Sequence, residues 1–495
     1  MLLRLHAQPK KIALLIQQNF RIGLYTASLA FAGPAFAKSI SYAQAEQSVL
    51  KDSYSTQANQ ALQQSAQLQA EAVKGLGLPR VDLNVRTYAF HNETDLPLGA
   101  LKNNLEQSLT NGLNNKIDEL NLGNLADPLK ESLQQPIQDG VGLIPDESTI
   151  SLNDQVIRPT VSVMMPLYTG GLTSSTKEIA QIKAQSSELN SQQQQDVQRF
   201  ELIQAYFNAQ LQKQLFASSQ SNFSAMQTHY NHALKLEHQG FISKGQRMQF
   251  EVAKNNAERS VQTATANLRS SLFQLNNLLQ QRQITELSTP LFVNTTQTQN
   301  LNALLQSYPE QSPLIRKMQM DTQLANANIK AQNAAKKPDL FAFGEYSLDE
   351  KQNWIVGVAA RYNLFSGIDR NKNVQAAELQ RYAAELLTER TKQEVENIMY
   401  RSFNDMSSAQ QNHQLLQQNM KAAEENLRIQ TLSFQEDMGT ATQLIDAENS
   451  LNALKSEMAL NAYKYIISLA TLLQSHGSIE QFQSYVGQSN NSYIR

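Results

Sequence analysis

Four long runs of this sequence contain neither glycine nor proline, and this feature limits the fold more than any other. The runs are Leu172–Gln239, Gln246–Thr289, Ile368–Met438 and Thr440–His476. Helix-breaking residues are absent over such lengths only where a helix continues without interruption. As helices, the first and third runs would each extend about 100 Å. The sequence therefore predicts two pairs of long helices, with one pair turning near Gly240 and the other near Gly439.

Narrow apolar stripes run along these segments. Leu268, Leu272, Leu275 and Leu279 are spaced by four and three residues on an otherwise polar helix. Such stripes are typical of coiled-coil seams. They also suit an ordinary long coiled coil, so a structural or adhesive surface protein without transport activity remains an alternative.

The sequence repeats itself at a shift of about 197 residues. Leu167-Tyr-Thr-Gly170 falls on Leu364-Phe-Ser-Gly367, and the turn at Gly240 falls on residues 437–440. A shared order of landmarks at one period indicates two copies of one structural unit. The predicted organisation is a first repeat at 38–295, a second repeat at 296–480 and a C-terminal tail at 481–495.

Each repeat also predicts an additional helix followed by two strands. The helices are predicted over 42–74 and 301–337, the second opened by Tyr308-Pro309, and a proline (Pro79 or Pro338) then begins an alternating segment. The predicted strands run from Val81 to Phe90, Thr160 to Tyr168, Leu340 to Tyr346 and Trp354 to Phe365. Between the first two lies a polar insert, 92–158, for which we expect an outer-surface loop with a weak helix from about Leu101 to Leu120.

Four strands cannot close a barrel, because an open edge in lipid leaves backbone groups unpaired. Three chains would supply twelve strands. If the chain spans a membrane, the predicted fold is therefore mainly α with a β-barrel: a trimeric twelve-stranded barrel continued by a helical barrel of coiled-coil hairpins. A periplasmic hairpin domain on a helical stalk is the alternative.

The N-terminus predicts export. Basic residues precede an apolar segment, Ile22–Ala32, and Ala35-Phe36-Ala37 has the pattern of a cleavage site. We expect residues 1–37 to be a signal peptide, with a membrane-anchoring helix as the alternative. The chain contains no cysteine, which excludes disulfides and lipid attachment to an N-terminal cysteine. Beyond this segment no apolar run approaches the ~18 residues of a spanning helix.

Neither composition nor motifs favour an enzyme or a nucleic-acid partner. The formal net charge is only −2. No nucleophile motif or phosphate-binding loop occurs. His229 and His232, near Glu237 and His238, are better explained as solvated side chains than as metal ligands, because no His-Glu-x-x-His pattern accompanies them. We predict no enzyme activity, cofactor or metal.

Taken together, these residues resemble the TolC-type outer-membrane efflux proteins. The resemblance lies in Pro79 and Pro338 before strands, Pro166-Leu-Tyr-Thr-Gly-Gly171 and Asn363-Leu-Phe-Ser-Gly367. It also lies in Gly240-Phe-Ile-Ser243 with Glu251-Val-Ala253, and in Thr440 with Leu444-Ile-Asp-Ala-Glu448. It covers essentially the whole chain after the signal, and the duplicated order carries it rather than any one motif.

The resemblance implies a homotrimeric duct in the outer membrane that extends into the periplasm. It implies docking to a periplasmic adaptor and to an inner-membrane transporter of the resistance-nodulation, ABC or major-facilitator type. The expected cargo, small molecules or secreted proteins, stays open. The docking residues expected at the two tips are Gly240, Phe241, Ile242, Ser243, Met438, Gly439 and Thr440. Both tip glycines are expected to have left-handed backbone angles.

The resemblance also implies an acidic periplasmic entrance. Asp446 matches one of the family's entrance acids by its Ile-Asp-Ala setting, and Gln443 occupies a second matched position. An exposed charge on a helix is the alternative for Asp446. In the family, an arginine and a tyrosine near the second tip and an acid near the first tip form polar links that hold the entrance closed. Here Gly439 and Phe434 occupy the arginine and tyrosine positions and Gln246 occupies the position of the acid, so this charged latch is absent. We therefore expect a weaker polar or packing restraint in its place.

Overall fold

The computed structural model describes residues 38–88, 98–119, parts of 130–141, 156–280, 284–296, 300–349, 352–365, 367–436 and 438–494. The predicted signal peptide, 1–37, lies outside the described residues, as does most of the polar insert. One described helix of the insert, α3 (Leu98–Glu119), lies close to the helix expected there.

Four long helices form two antiparallel hairpins. They are α4 (Leu172–His238) with α5 (Lys244–Leu278), and α8 (Arg370–Gln435) with α9 (Ala441–His476). With 67 residues, α4 extends about 100 Å. Asp369 begins α8 by accepting hydrogen bonds from the Asn371 and Lys372 N–H groups. No described helix has a stretch that is both long and apolar enough to cross a membrane.

The helix α5 is shorter than the glycine- and proline-free run predicts. It ends at Leu278 rather than near Thr289, and Gln280 has a φ of 53°. This left-handed angle stops the helix without a glycine, which is uncommon for a residue with a side chain. The chain then forms a short strand, β4 (Ile284–Leu287).

Each additional helix predicted before the strands is in fact two helices. The first pair is α1 (Tyr42–Asp52) and α2 (Tyr54–Ala72), and the second is α6 (Leu301–Gln311) and α7 (Pro313–Ala334). The single-helix prediction was wrong because a serine, Ser53 or Ser312, interrupts each one with extended backbone angles. Pro309 lies inside α6, and Pro313 is the proline that begins a helix, where its missing N–H costs nothing.

The four predicted strands form one antiparallel sheet in the order β2-β3-β6-β7. They are β2 (Arg80–Tyr88), β3 (Val156–Tyr168), β6 (Asp339–Ser347) and β7 (Trp354–Arg361). The last strand ends at Arg361 rather than at Phe365, because its ladder with β6 stops where Arg361 pairs with Asp339. Leu364, beyond the ladder, is 89 % exposed.

Two further pairs of short strands flank the main core. The strand β1 (Lys38–Ile40) pairs with β4 in parallel, and β5 (Leu291–Asn294) pairs with β8 (Asn491–Ile494) in antiparallel orientation. The segment predicted only as a tail thus adds β8 and a short helix, α10 (Phe482–Val486). These strands have three or four residues each, too few to give an alternating pattern.

The main core packs aromatic side chains where the hairpins meet these strands. Tyr42, Tyr206, Phe207, Phe292 and Phe482 are fully buried. The ring centroids of Tyr206 and Phe207 are 5.2 Å apart, and those of Tyr42 and Phe482 are 5.3 Å apart. The Tyr206 hydroxyl donates to the carbonyl of Ile40, so its polar end is also satisfied. The predicted fold class is confirmed at the level of the chain: mainly helical, with two long hairpins and one four-stranded sheet.

Candidate functional site

The sheet has one apolar and exposed face. Val81, Leu83 and Val85 of β2 all point to this face, as do Val356 and Val358 of β7. Side chains alternate between faces along a strand, so these residues are separated by polar or small ones that point the other way. A soluble sheet would normally cover such a surface with another layer.

Aromatic side chains flank this apolar face at both ends. Trp354 pairs with Tyr346 where β7 begins. Tyr168 and Tyr362 lie at the opposite end, and both are exposed. Eight residue steps separate Trp354 from Tyr362, or about 26 Å along an extended strand. At the tilt of about 35–45° that barrel strands adopt, this length spans about 20 Å across a bilayer, and an apolar band between aromatic belts is the pattern of strands that contact lipid.

The opposite face of the sheet carries polar side chains tied by ion pairs, with Phe341 and Phe343 of β6 among them. Arg86 lies 3.4 Å from Glu345 across two strands. Arg158 reaches Asp349 at 3.3 Å, and its Nε donates to the Ser347 hydroxyl. Arginines are therefore matched with carboxylates along this face, so the wall it forms has alternating charges rather than one dominant sign.

Both outer strands of the sheet have a free edge. Within the described chain, β2 pairs only with β3, and β7 pairs only with β6. Each edge carries a row of backbone N–H and C=O groups that can pair with another strand.

The hairpin tips share one helix-capping arrangement. At the first tip the Ser243 N–H donates to the Gln246 side chain at 2.8 Å, and the Gln246 N–H donates back to the Ser243 hydroxyl. Thr440 and Gln443 make the same two bonds at the second tip. These capping boxes are 197 residues apart and begin α5 and α9 at equivalent positions.

The two tip glycines differ, which corrects one expectation. Gly240 has a φ of 80°, as expected. Gly439 is not among the glycines with positive φ, so the prediction of a left-handed angle there was wrong. Space is the constraint at that position, because a Cβ on Gly439 would lie 3.1 Å from the Phe434 nitrogen and 3.2 Å from Ser433 atoms.

Each tip presents one exposed apolar side chain. Phe241 is 66 % exposed and Met438 is 79 % exposed, and the shift of 197 residues relates them. Gly240, Ser243 and Thr440 are also exposed, whereas Ile242 and Gly439 are half-buried. The residues expected to dock a partner thus lie together at the ends of the hairpins, and their docking role stays a prediction.

Asp446 lies on the exposed side of α9, next to the buried Ala447. Gln443 is exposed as well, but its side-chain oxygen accepts from Thr440 in the capping box. Gln443 is therefore engaged in starting the helix. An entrance role for either residue requires neighbouring copies of the chain and stays a prediction.

Sequence reasoning missed an ion cluster at the first tip. Arg247 lies between Glu237 at 3.1 Å and Glu251, with its side chain mostly buried. In the sequence, Glu237 stands out only as a neighbour of the histidines near the first tip. Burial lowers the pKa of one of these histidines, His229. Among the described residues, no group of three or more His, Asp or Glu side chains is placed to hold a metal ion. The signal available in the sequence was the opposite charge of Glu237 and Arg247, which lie on either side of the first tip.

Comparisons with known proteins agree with this geometry. Residues 304–478 match the family model described as outer membrane efflux protein. No curated protein matches the chain by sequence at a significant level. The family match supports the resemblance stated from the sequence over residues 304–478, and the structural matches that follow confirm the fold.

Several solved structures share the fold over most of the chain. CusC, described as forming a transmembrane channel, matches with a TM-score of 0.70 and 14% identity, covering 91% of this chain and 95% of CusC. The outer membrane protein VceC of Vibrio cholerae gives 0.69 and 14%, covering 88% and 96%. The MtrE outer membrane channel of Neisseria gonorrhoeae, in its open state, gives 0.66 and 15%, covering 88% and 89%. At these identities the structures establish a shared fold.

Proposed function

We propose that three copies of this chain form the outer-membrane duct of a tripartite export system. The observation that carries the proposal is the sheet, which combines an apolar face between aromatic belts with a polar face and two free edges. In lipid, free edges are not tolerated. Pairing β2 of one copy with β7 of the next closes three sheets into one twelve-stranded barrel, with the polar faces inside.

The long helices then continue the duct on the periplasmic side. Because α4 and α8 have 67 and 66 residues, each extends about 100 Å from the sheet. The tips lie at the far end, where Phe241 and Met438 are exposed. We place the docking of a periplasmic adaptor at Gly240, Phe241, Ile242, Ser243, Met438, Gly439 and Thr440, since exposed apolar side chains grouped in this way are typical of binding surfaces.

The duct is passive. Energy comes from an inner-membrane transporter of the resistance-nodulation, ABC or major-facilitator type, joined through the adaptor. Three Asp446 carboxylates around the threefold axis favour cations at the periplasmic entrance. The cargo is small molecules or secreted proteins, because a tunnel lined by ordinary polar helices suits either class.

Conductance of the purified full chain in planar bilayers tests the proposal. We expect discrete conductance steps for the wild type. A matched pair tests which face meets lipid: Leu83→Arg places a charge on the apolar face, whereas Asn84→Arg places it on the polar face one residue later. Arginine at the middle of the bilayer costs about 2–4 kcal/mol. Leu83→Arg should therefore reduce insertion strongly and Asn84→Arg should not. Absent conductance, or equal behaviour of both variants, would contradict the proposal.

A further inference from the structure

A small apolar cluster joins the two hairpins near their tips. Its buried members are Ala233, Phe250, Phe434, Ala441 and Leu444, and we call it the tip cluster. It draws on α4, α5, α8 and α9, so all four long helices contribute. It is separate from the main core described above.

The contact between the hairpins in this cluster is a pair of aromatic rings. Phe250 of α5 and Phe434 of α8 meet edge to face, with centroids 5.3 Å apart and an interplanar angle of 68°. Phe250 is fully buried and Phe434 is 6 % exposed. Edge-to-face pairs are favourable beyond their burial, and both rings would meet water if the hairpins separated.

Between the tip cluster and the main core, a polar contact joins the hairpins. The Ser218 hydroxyl of α4 donates to the Asn452 side chain of α9 at 2.6 Å. Asn222 is also buried there, and its Oδ1 has no hydrogen-bond partner among the described groups. Nearer the tips, the Thr442 hydroxyl of α9 donates to the Gln249 side chain of α5 at 3.5 Å, so the tip cluster supplies the apolar part of the contact between the hairpin ends.

The internal repeat shows that the tip cluster replaces an ion pair. A shift of 197 residues places Glu237 on Phe434 and Arg247 on Leu444. In the first hairpin these positions form the Glu237–Arg247 ion pair. In the second hairpin they are both apolar, and the surface they create receives Phe250 from the first hairpin.

We infer that Phe250 and Phe434 are positioning residues that set the width of the periplasmic entrance by holding the two hairpin tips together. This inference rests on the proposed duct and names its closing contact. Because apolar packing holds the tips, the closed entrance should respond little to salt, in contrast to a restraint made of ion pairs.

Single-channel recording of the reconstituted full chain tests this inference. Phe250→Ala and Phe434→Ala should each raise the open probability by about tenfold or more. Phe273→Ala is the matched control, because Phe273 lies on the same helix as Phe250 but is exposed. The inference would be overturned if Phe250→Ala and Phe434→Ala had the same open probability as the wild type and Phe273→Ala. A wild type that forms no pore would instead contradict the proposed function.

Two further variants keep the test decisive if an alanine variant fails to assemble. The chain has no cysteine, so Phe250→Cys with Phe434→Cys gives one defined thiol pair. Bridging the thiols with a short bifunctional reagent should lock the pore at low conductance, and an unchanged pore after bridging would overturn the inference. The double substitution Phe434→Glu with Leu444→Arg copies the ion pair of the first hairpin. This pair lies within the second hairpin and does not reach Phe250, so the variant should have a raised open probability at every salt concentration. An open probability equal to that of the wild type would also overturn the inference.

Discussion

The two halves of the chain share one plan but stabilise equivalent places with different chemistry. At the tips, the first half uses the Glu237–Arg247 ion pair, whereas the second half has Phe434 and Leu444 at the same positions. The helical backbone is the same in both, down to the capping box that begins the second helix of each hairpin. Side-chain chemistry has therefore diverged while the framework has not.

The same contrast occurs where each long helix meets the short helix that precedes it. Arg199 of α4 pairs with Glu46 of α1 at 3.2 Å and with Asp196 at 3.3 Å. The position equivalent to Arg199 is Glu396 of α8, which instead accepts from the Tyr308 hydroxyl of α6 at 2.8 Å. The first half thus uses ion pairs where the second half uses a neutral donor or apolar packing.

This difference predicts different sensitivities. Ion pairs weaken with salt and change with pH, whereas apolar contacts and phenol hydrogen bonds do so far less. Burial and the neighbouring Glu396 raise the pKa of Tyr308 above its usual range, so its phenol keeps its proton at physiological pH. We expect the ion pairs at the tip and helix junction of the first half to respond to salt more than the equivalent contacts of the second half.

The largest expected effect separates the two tip glycines. Gly240→Pro should abolish export while leaving trimers in the membrane, because proline cannot adopt a φ of 80° and its nitrogen cannot donate to the Glu237 carbonyl. Gly240→Asn should retain most export, since asparagine tolerates left-handed angles. Gly439→Asn should reduce export more than Gly240→Asn, because its Cβ would crowd the backbone of Ser433 and Phe434.

Export can be followed by the drug tolerance of cells that carry each variant, or by secretion of a protein cargo, with trimers measured on membranes. Normal export by Gly240→Pro would refute the placement of the first tip. Equal behaviour of the two asparagine variants would refute the difference between the glycines.

A second prediction concerns charge at the entrance. The counterpart of Asp446 in the first half is Gln249. Asp446→Gln should therefore make the tips alike and lower cation selectivity several-fold, since three carboxylates lose their charge. Gln443→Glu should raise selectivity and keep the capping box, because glutamate serves at that position as well as glutamine. Reversal potentials across a salt gradient measure both. If neither variant moves them, Asp446 does not face the pore.

A third prediction is a pH dependence centred on Asp196, at the helix junction of the first half. Burial raises the pKa of Asp196 to about 6, although Arg199 opposes the rise. A carboxyl with a raised folded pKa stabilises the fold below its unfolded pKa of 3.8, and this stabilisation is lost as pH rises through about 6. The contribution is at most about 3 kcal/mol.

Helical circular dichroism during thermal unfolding at pH 5 and pH 7 measures this effect. Relative to Asp196→Asn, the wild type should gain thermal stability at pH 5 over pH 7. Burial lowers the pKa of His229, His413 and His476, and these groups act in the opposite direction in both proteins. Glu396→Gln, at the opposite junction, is the control and should leave the difference in place. Equal pH dependence of the wild type and Asp196→Asn would show that Asp196 does not titrate between these pH values.

The smallest expected effect is the salt sensitivity of the first tip. Amide hydrogen exchange around Glu237 and Arg247 should quicken as salt rises, whereas exchange around Phe434 and Leu444 should change little. Arg247→Ala should make exchange at the first tip fast at all salt concentrations. Equal salt dependence at both tips would show that the ion pair does not distinguish them.

Much of this framework is predictable from the sequence, because it depends on patterns of long range in the chain. Breaker-free runs mark the long helices, and alternation marks the four strands of the sheet. The breaks at Ser53 and Ser312 were missed because a capping serine is as common in loops as at helix starts. The small strands that pair Leu291–Asn294 with Asn491–Ile494 depend on partners almost 200 residues apart, which no local pattern reveals.

The tips were predictable in position but not in contacts. The sequence indicates where the chain reverses, yet only the packing shows that Gly439 is limited by space and that Phe434 meets Phe250. Side chains from different hairpins meet there, so spacing along one helix cannot reveal the pair. The absence of a charged latch nevertheless predicted that packing or weaker polar contacts restrain the tips.

The number of chains per particle tests the account most directly. The proposed duct depends on three copies of the chain to pair the free edges of β2 and β7 and to form the entrance. Light scattering on the detergent-purified full chain, corrected for bound detergent, should give three chains per particle at every protein concentration at which the complex is stable. A monodisperse monomer would contradict the closed barrel, and with it the duct.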